Sequence, residues 1–214
     1  MKWLYEAKER YRTSILDFTI TSNHVHVLLL DKEGRSSISK CMQLVSARTA
    51  QSHNWRKGRK GAFWEDRYHG TAVESGAHLI NCIIYIDLNM VRAGVVGHPA
   101  EWAFGGYSMI QEGPKRRRLI DYESLRELLH FEDFKTLQAS HRALVDEALK
   151  RRCLERESKW TESVAVGSKA YLEEFLEKSG SRTGSRRIVG NGGAFELMED
   201  CFPYTHKNRL SSPR

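Results

Sequence analysis

Two apolar, β-prone runs around a short polar turn constrain this chain more than any other feature. SILDFTI (residues 14–20) and HVHVLLL (24–30) flank the tripeptide TSN, a pattern that predicts an antiparallel hairpin. Side chains alternate faces along a strand, so His24 and His26 point the same way, roughly 7 Å apart. Leu28 and Leu30 continue that face, while Val25, Val27 and Leu29 make the other wholly apolar. Two imidazoles stand where two valines would pack better. Either they are satisfied histidines at a sheet edge, or they begin a metal site, since neutral imidazoles on one face can converge on one ion.

The flanking segments read as helices. Residues 1–12 carry Trp3, Leu4, Ala7 and Tyr11 at helical spacing. After the hairpin, a helix starts near Ser36 or Ser37 as cap, with Ile38, Met42, Val45 and Thr49 along one side. A basic loop at 56–61 leads to AFWEDRYHGTAV, aromatic and β-prone. A strong helix over 76–93 follows, with Ser75 as a possible cap and Gly94 placed to stop it. HPAEWAFGGYS reads as a loop. Beyond it the pattern predicts helices over 121–130, 132–152 and 168–178, the last capped by Ser168, and then a Gly/Ser/Arg-rich stretch.

Composition narrows the class of partner. The formal charge of +7 and pI near 9.3 favour a polyanion, nucleic acid before an acidic membrane surface. Much of the excess sits in the clusters WRKGRK (55–60) and KRRR (115–118), although a single such cluster is usually just a solvated loop. Four cysteines without CxxC spacing argue against a zinc knuckle or a disulfide-stapled secreted domain. No signal peptide and no membrane-spanning run is legible, so a cytoplasmic location is expected.

A metal site needs more than two histidines. In the helix over 76–93, Tyr85 and Asn89 stand four apart and share a face, about 5–6 Å from each other. An amide oxygen is a reasonable hard ligand for Mg²⁺ or Mn²⁺. Tyr85 is equally readable as core, because Ile84, Leu88 and Val91 form an apolar stripe beside it.

NHVHVLL, followed by FWEDRYH, by YIDLNMVRAGVV on a helix and then by HPAEW…YS, resembles the REP-associated tyrosine transposases. These form part of the IS200-like group in the HUH single-strand endonuclease superfamily. The resemblance runs from about residue 14 to about 110, and more faintly into VGSKAYLEEFLEK. It implies that His24 and His26 bind a divalent cation, Mg²⁺ or Mn²⁺, that Asn89 completes the site, and that Tyr85 attacks a DNA phosphate. The implied substrate is single-stranded or hairpin DNA. The implied fold is α+β: a ferredoxin-like (RRM-like) antiparallel sheet with helices on one face, carrying a C-terminal helical extension. DNA contacts are expected from Arg56, Lys57, Arg59 and Lys60 in the basic loop and from Arg67 and Arg92 beside the site, with Trp64 and Tyr68 as stacking platforms.

Relatives normally begin with a further strand before the first helix, whereas here Met1 stands at the start of that helix. The strand bearing the histidines is therefore expected to have an exposed edge. The expected organisation is a catalytic domain over 1–112, a helical extension over 113–178 and a flexible tail over 179–214, as a monomer or homodimer with no membrane association. Three rival readings stay open: a hairpin-DNA-binding module that does not cut, a metallohydrolase using metal-bound water, and an RRM-like RNA-binding domain. Against the last, histidines occupy a strand where stacking aromatics would be expected.

Overall fold

The expected hairpin forms, from β1 (Ser14–Ile20) and β2 (Val25–Leu30), paired antiparallel from Ser14 opposite Leu30 to Ile20 opposite Val25. Thr21 closes the turn: its hydroxyl accepts the His24 amide at 2.8 Å, and its amide donates to the His24 carbonyl at 2.9 Å. His24 thus belongs to the turn, and His26 lies within the strand. The structure, a computed structural model, describes residues 1–32, 37–114, 119–152, 154–179, 186–191 and 194–199. Ser36, the KRRR cluster, Cys153 and Cys201 lie outside the described residues.

α1 (Lys2–Tyr11) precedes the hairpin and α2 (Ser37–Lys57) follows it; these two helices pack on each other. The hydroxyl of Ser37 is buried without a partner, so it does not cap α2. The side of α2 carrying Ile38, Met42, Val45 and Thr49 faces a cavity, while Cys41, Leu44 and Val45 are buried in the core. The aromatic segment after α2 forms only the short strand β3 (Ala72–Val73). Side chains anchor it in place of a ladder: the Trp64 indole donates to the Ser46 carbonyl at 3.0 Å, and the Tyr68 hydroxyl lies 3.1 Å from that of Ser39.

The helix expected over 76–93 is interrupted. α3 (Ala77–Asp87) begins at Gly76, which has φ 71° and so stands in place of the expected Ser75 cap, and it ends at Leu88, after which α4 (Asn89–Arg92) resumes. Two side chains account for the break. Thr19 donates to the Ile86 carbonyl at 2.9 Å and Arg92 to the Tyr85 carbonyl at 2.7 Å. Those are the carbonyls to which the Met90 and Asn89 amides would donate in an unbroken helix, and side chains entering the i→i−4 ladder distort it. Gly94, at φ 69°, stops α4 as expected.

HPAEWAFGGYS is not simply a loop: a 3₁₀ turn spans Pro99–Glu101, and α5 (Gly106–Glu112) starts within it. α6 (Tyr122–Leu128) and α7 (Phe134–Lys150) are capped by Asp121 and Asp133, whose carboxylates accept the amides of Ser124 and Thr136. After α8 (Lys159–Glu162), the strand β4 (Ala165–Gly167) runs parallel to β3. α9 (Lys169–Ser179) follows, with Ser168 capping it as expected through its hydroxyl and the Tyr171 amide, 3.2 Å apart.

Two strands lie within the stretch expected to be a flexible tail over 179–214, of which residues 180–185, 192–193 and 200–214 lie outside the described residues. β5 (Arg186–Asn191) and β6 (Ala194–Glu199) form an antiparallel hairpin, and β6 also pairs with β4. Alternation explains it: Phe195 and Leu197 project to one face, where Leu197 is fully buried with Leu172 and Ala165. Among the described residues two sheets result, β1-β2 and β3-β4-β6-β5. The extension therefore supplies a strand that extends the sheet begun by β3. The fold is mixed α+β, with helices and mainly antiparallel sheets.

One core joins the N-terminal segment to the extension. Leu4, Phe18, Leu44 and Ile83 share a cluster with Leu125 of α6 and Leu137 of α7. Beside it lies a buried polar knot. Arg142 donates twice to Gln111 Oε1, so the Gln111 amide nitrogen faces His141 Nδ1 at 2.9 Å. Nδ1 is then the acceptor, and Nε2–H donates to Asp87 Oδ2 at 2.7 Å. Burial pushes the His141 pKa down to about 4 and raises that of Asp87 well above the usual carboxylate range. Asp17, fully buried, is raised in the same way, first by burial and then by the charge of Asp87.

Gly106 makes this packing possible. A Cβ there would lie 1.9 Å from Asp17 Oδ1 and 3.2 Å from the Phe18 amide nitrogen. Gly106→Ala is expected to destabilise the protein by about 1–3 kcal/mol, the cost of overpacking a rigid interior. A urea titration checks it, and an unchanged midpoint would mean that Asp17 moves aside freely.

Candidate active site

Among the described residues, β2 pairs with β1 along one edge only, and β3 stands at the end of its own sheet. Between them lies a largely apolar cavity of about 1080 Å³, walled by the whole of β2, by β3, by α2 and by the 64–73 segment. His24, His26 and Tyr85 all line it. The two imidazoles lie nearly parallel, with ring centroids 6.4 Å apart and planes 15° from each other. The His26 ring meets Tyr85 edge-on at 6.3 Å. Burial lowers the pKa of His26, and the nearby charges of His24 and Arg92 lower it further. A neutral ring with an available nitrogen is the form that binds a metal.

Tyr85 is held from three sides. Arg92 lies over its ring, 4.0 Å from the centroid, and clamps its carbonyl. Trp160, from the extension, packs against it at 6.3 Å. Cys82, Ile86 and Val166 complete the cluster, leaving Tyr85 only 5 % exposed. The burial that surrounds Cys82 pushes its thiol up to about 12, which makes it inert.

The other expected residues are distributed as follows. Asn89 is half-buried and is not part of the cavity wall. Between Tyr85 and Asn89 the helix is interrupted at Leu88. Among the described residues, no group of three or more His, Cys, Asp or Glu side chains is placed to hold a metal ion. Arg67 and Tyr68 line the cavity and are exposed. Trp64 lines it too, with its indole N–H already engaged by α2. Arg56, Lys57, Arg59 and Lys60 lie exposed at the end of α2 and in the loop after it. Trp160 escaped the sequence reading, because nothing in ESKWTES ties a tryptophan to a tyrosine on a distant helix.

Part of the sequence is similar to a known family. Residues 1–89 match the model of the IS200-like transposase family. The matched stretch contains both histidines and Tyr85 and ends at Asn89. It supports that transposase family for the part of the chain that supplies most of the cavity wall, and the family suggests DNA cleavage of the transposase type. No curated protein and no solved structure matches the chain. Among the described residues, no helix is long and apolar enough to cross a membrane.

Proposed function

We propose that this protein is a metal-dependent transposase-type enzyme, or a domesticated relative, that cleaves and joins single-stranded or hairpin DNA through Tyr85. The observation that carries the reading is the meeting of His24, His26 and Tyr85 in one cavity, within the stretch that matches the transposase family. Two parallel imidazoles facing one cavity suit a divalent cation in donor type; Asn89 is the proposed third ligand, an amide oxygen for Mg²⁺ or Mn²⁺. Such an ion would neutralise charge on the scissile phosphate. Tyr85 attacks the phosphorus, the P–O3′ bond breaks, the 3′-oxygen leaves and takes up a proton, and a 5′-phosphotyrosine forms. Attack by a 3′-hydroxyl reverses the step and joins the strands. Arg92 fixes the ring and carbonyl of Tyr85 throughout. Arg67 and the basic loop hold phosphates. On this reading the sheet that carries His26 is ferredoxin-like, with β2 lining the cavity along its whole length.

Single-turnover cleavage of a labelled hairpin oligonucleotide, with Mn²⁺ or Mg²⁺ and then with a chelator, tests the reading. His24→Ala and His26→Ala are each expected to reduce the metal-dependent rate about 100-fold or more, since each removes a proposed ligand. Cleavage that ignores both the chelator and these substitutions would end the metal reading. One observation favours the rival DNA-binding module: the Tyr85 ring is roofed by Trp160 and Arg92. That module would bind the hairpin and leave it uncut.

A further inference from the structure

The largest exposure of any large hydrophobic side chain among the described residues belongs to Trp55, at 86 %. It stands at the end of α2 in WRKGRK, where four of six residues are cations and none is acidic. All six are exposed. The backbone beneath is firmly shaped. The Arg59 amide donates to the Asn54 carbonyl at 3.0 Å and the Gly58 amide to the Trp55 carbonyl at 3.3 Å. With Gly58 at φ 57°, that pair of bonds is a Schellman motif, a conformation a glycine adopts without strain. The turn is tied down further where Asn54 Nδ2 donates to the Gly61 carbonyl and Arg59 Nη2 to that of Ala62. Phe63 then packs on His53 and Trp64, which carries the chain directly to the cavity wall.

We propose that Trp55 is a stacking platform for an unpaired nucleobase, with Arg56, Lys57, Arg59 and Lys60 on the flanking phosphates, so that a single strand leaving the cavity is gripped at the end of α2. The partner class rests on the DNA-processing reading above; the platform itself is an additional site. An indole with free faces amid cations matches a flat π-system joined to phosphate, and stacking of that kind accepts any base. A duplex does not fit, because its bases are already stacked. A membrane surface fits less well, since one tryptophan on a cationic turn has no apolar face to insert.

The experiment is fluorescence anisotropy of labelled single-stranded and duplex oligonucleotides with the full chain, across a salt series. Trp55→Ala is expected to weaken single-strand binding roughly 5- to 100-fold and to leave duplex binding unchanged, with Trp55→Phe retaining most of the affinity. Lys57→Gln with Lys60→Gln is expected to lower the slope of log K against log salt by about 0.7 for each phosphate no longer neutralised. Circular dichroism confirms that these surface variants stay folded. Equal losses on both DNA forms, or none on either, would overturn the platform while leaving the transposase reading intact. Failure of the unsubstituted protein to bind DNA would overturn both. Trp55-dependent binding to anionic vesicles, without single-strand binding, would replace the nucleic acid with a membrane.

Discussion

Tyr85→Phe is expected to abolish strand cleavage, with a fall in rate of roughly 10⁴-fold or more, the scale on which loss of a nucleophile acts in other enzymes. The substitution removes one oxygen and leaves the ring beneath Arg92 and against Trp160, where its packing matters most. Folding should therefore survive: Arg92 bonds to the residue 85 carbonyl, and that contact does not depend on the phenol. DNA binding should be retained within a few-fold, because the proposed phosphate contacts come from other side chains. Cleavage kinetics alongside hairpin binding make the comparison. Full activity in Tyr85→Phe would point to a metal-bound water as nucleophile and leave Tyr85 as a core residue.

The second large effect concerns stability. His141 lies in α7, and its Nε2–H is the partner of Asp87 at the end of α3, two residues beyond Tyr85. His141→Ala leaves Asp87 buried with both oxygens unpaired, since Oδ1 already lacks a partner. It also takes one of two acceptors from the Gln111 amide nitrogen, which keeps the Gln138 carbonyl, and opens a void between helices. The expected cost is about 3–5 kcal/mol, combining an unmade buried hydrogen bond with a cavity. That is a large part of the stability of an ordinary domain. Urea denaturation measures it, and the apolar double variant Asp87→Leu with His141→Leu is expected to lose less than the single one, because no polar group is then stranded. A single variant within about 0.5 kcal/mol of the parent, the range of ordinary surface changes, would show that the knot contributes little.

Local elements were legible where local physics decides them. The hairpin of β1 and β2 came from two apolar runs and a short turn, and the Ser168 cap from a hydroxyl just before a helical run. The cavity-facing side of α2 followed from the spacing of Ile38, Met42, Val45 and Thr49. What stayed hidden depends on contacts between distant segments. The break after Asp87 is written in Thr19 and Arg92 capturing two carbonyls, which no periodicity signals. β4 is three residues long and exists because β3 and β6 flank it; β5 lies in the Gly/Ser/Arg-rich stretch, and the alternation of β6 is brief. Within the candidate site, His24 and His26 were findable from one short motif, and Tyr85 from a family resemblance. Trp160 was invisible, because the chain between it and Tyr85 passes through four helices before returning.

One measurement tests the central claim most directly. The full chain is incubated with labelled hairpin DNA and Mn²⁺, the mixture is denatured, and any DNA-linked protein is digested and mapped by mass spectrometry. The account predicts a metal-dependent covalent adduct whose only modified peptide carries a nucleotide 5′-phosphate on Tyr85. Cleaved DNA without an adduct, or an adduct on another residue, would contradict it.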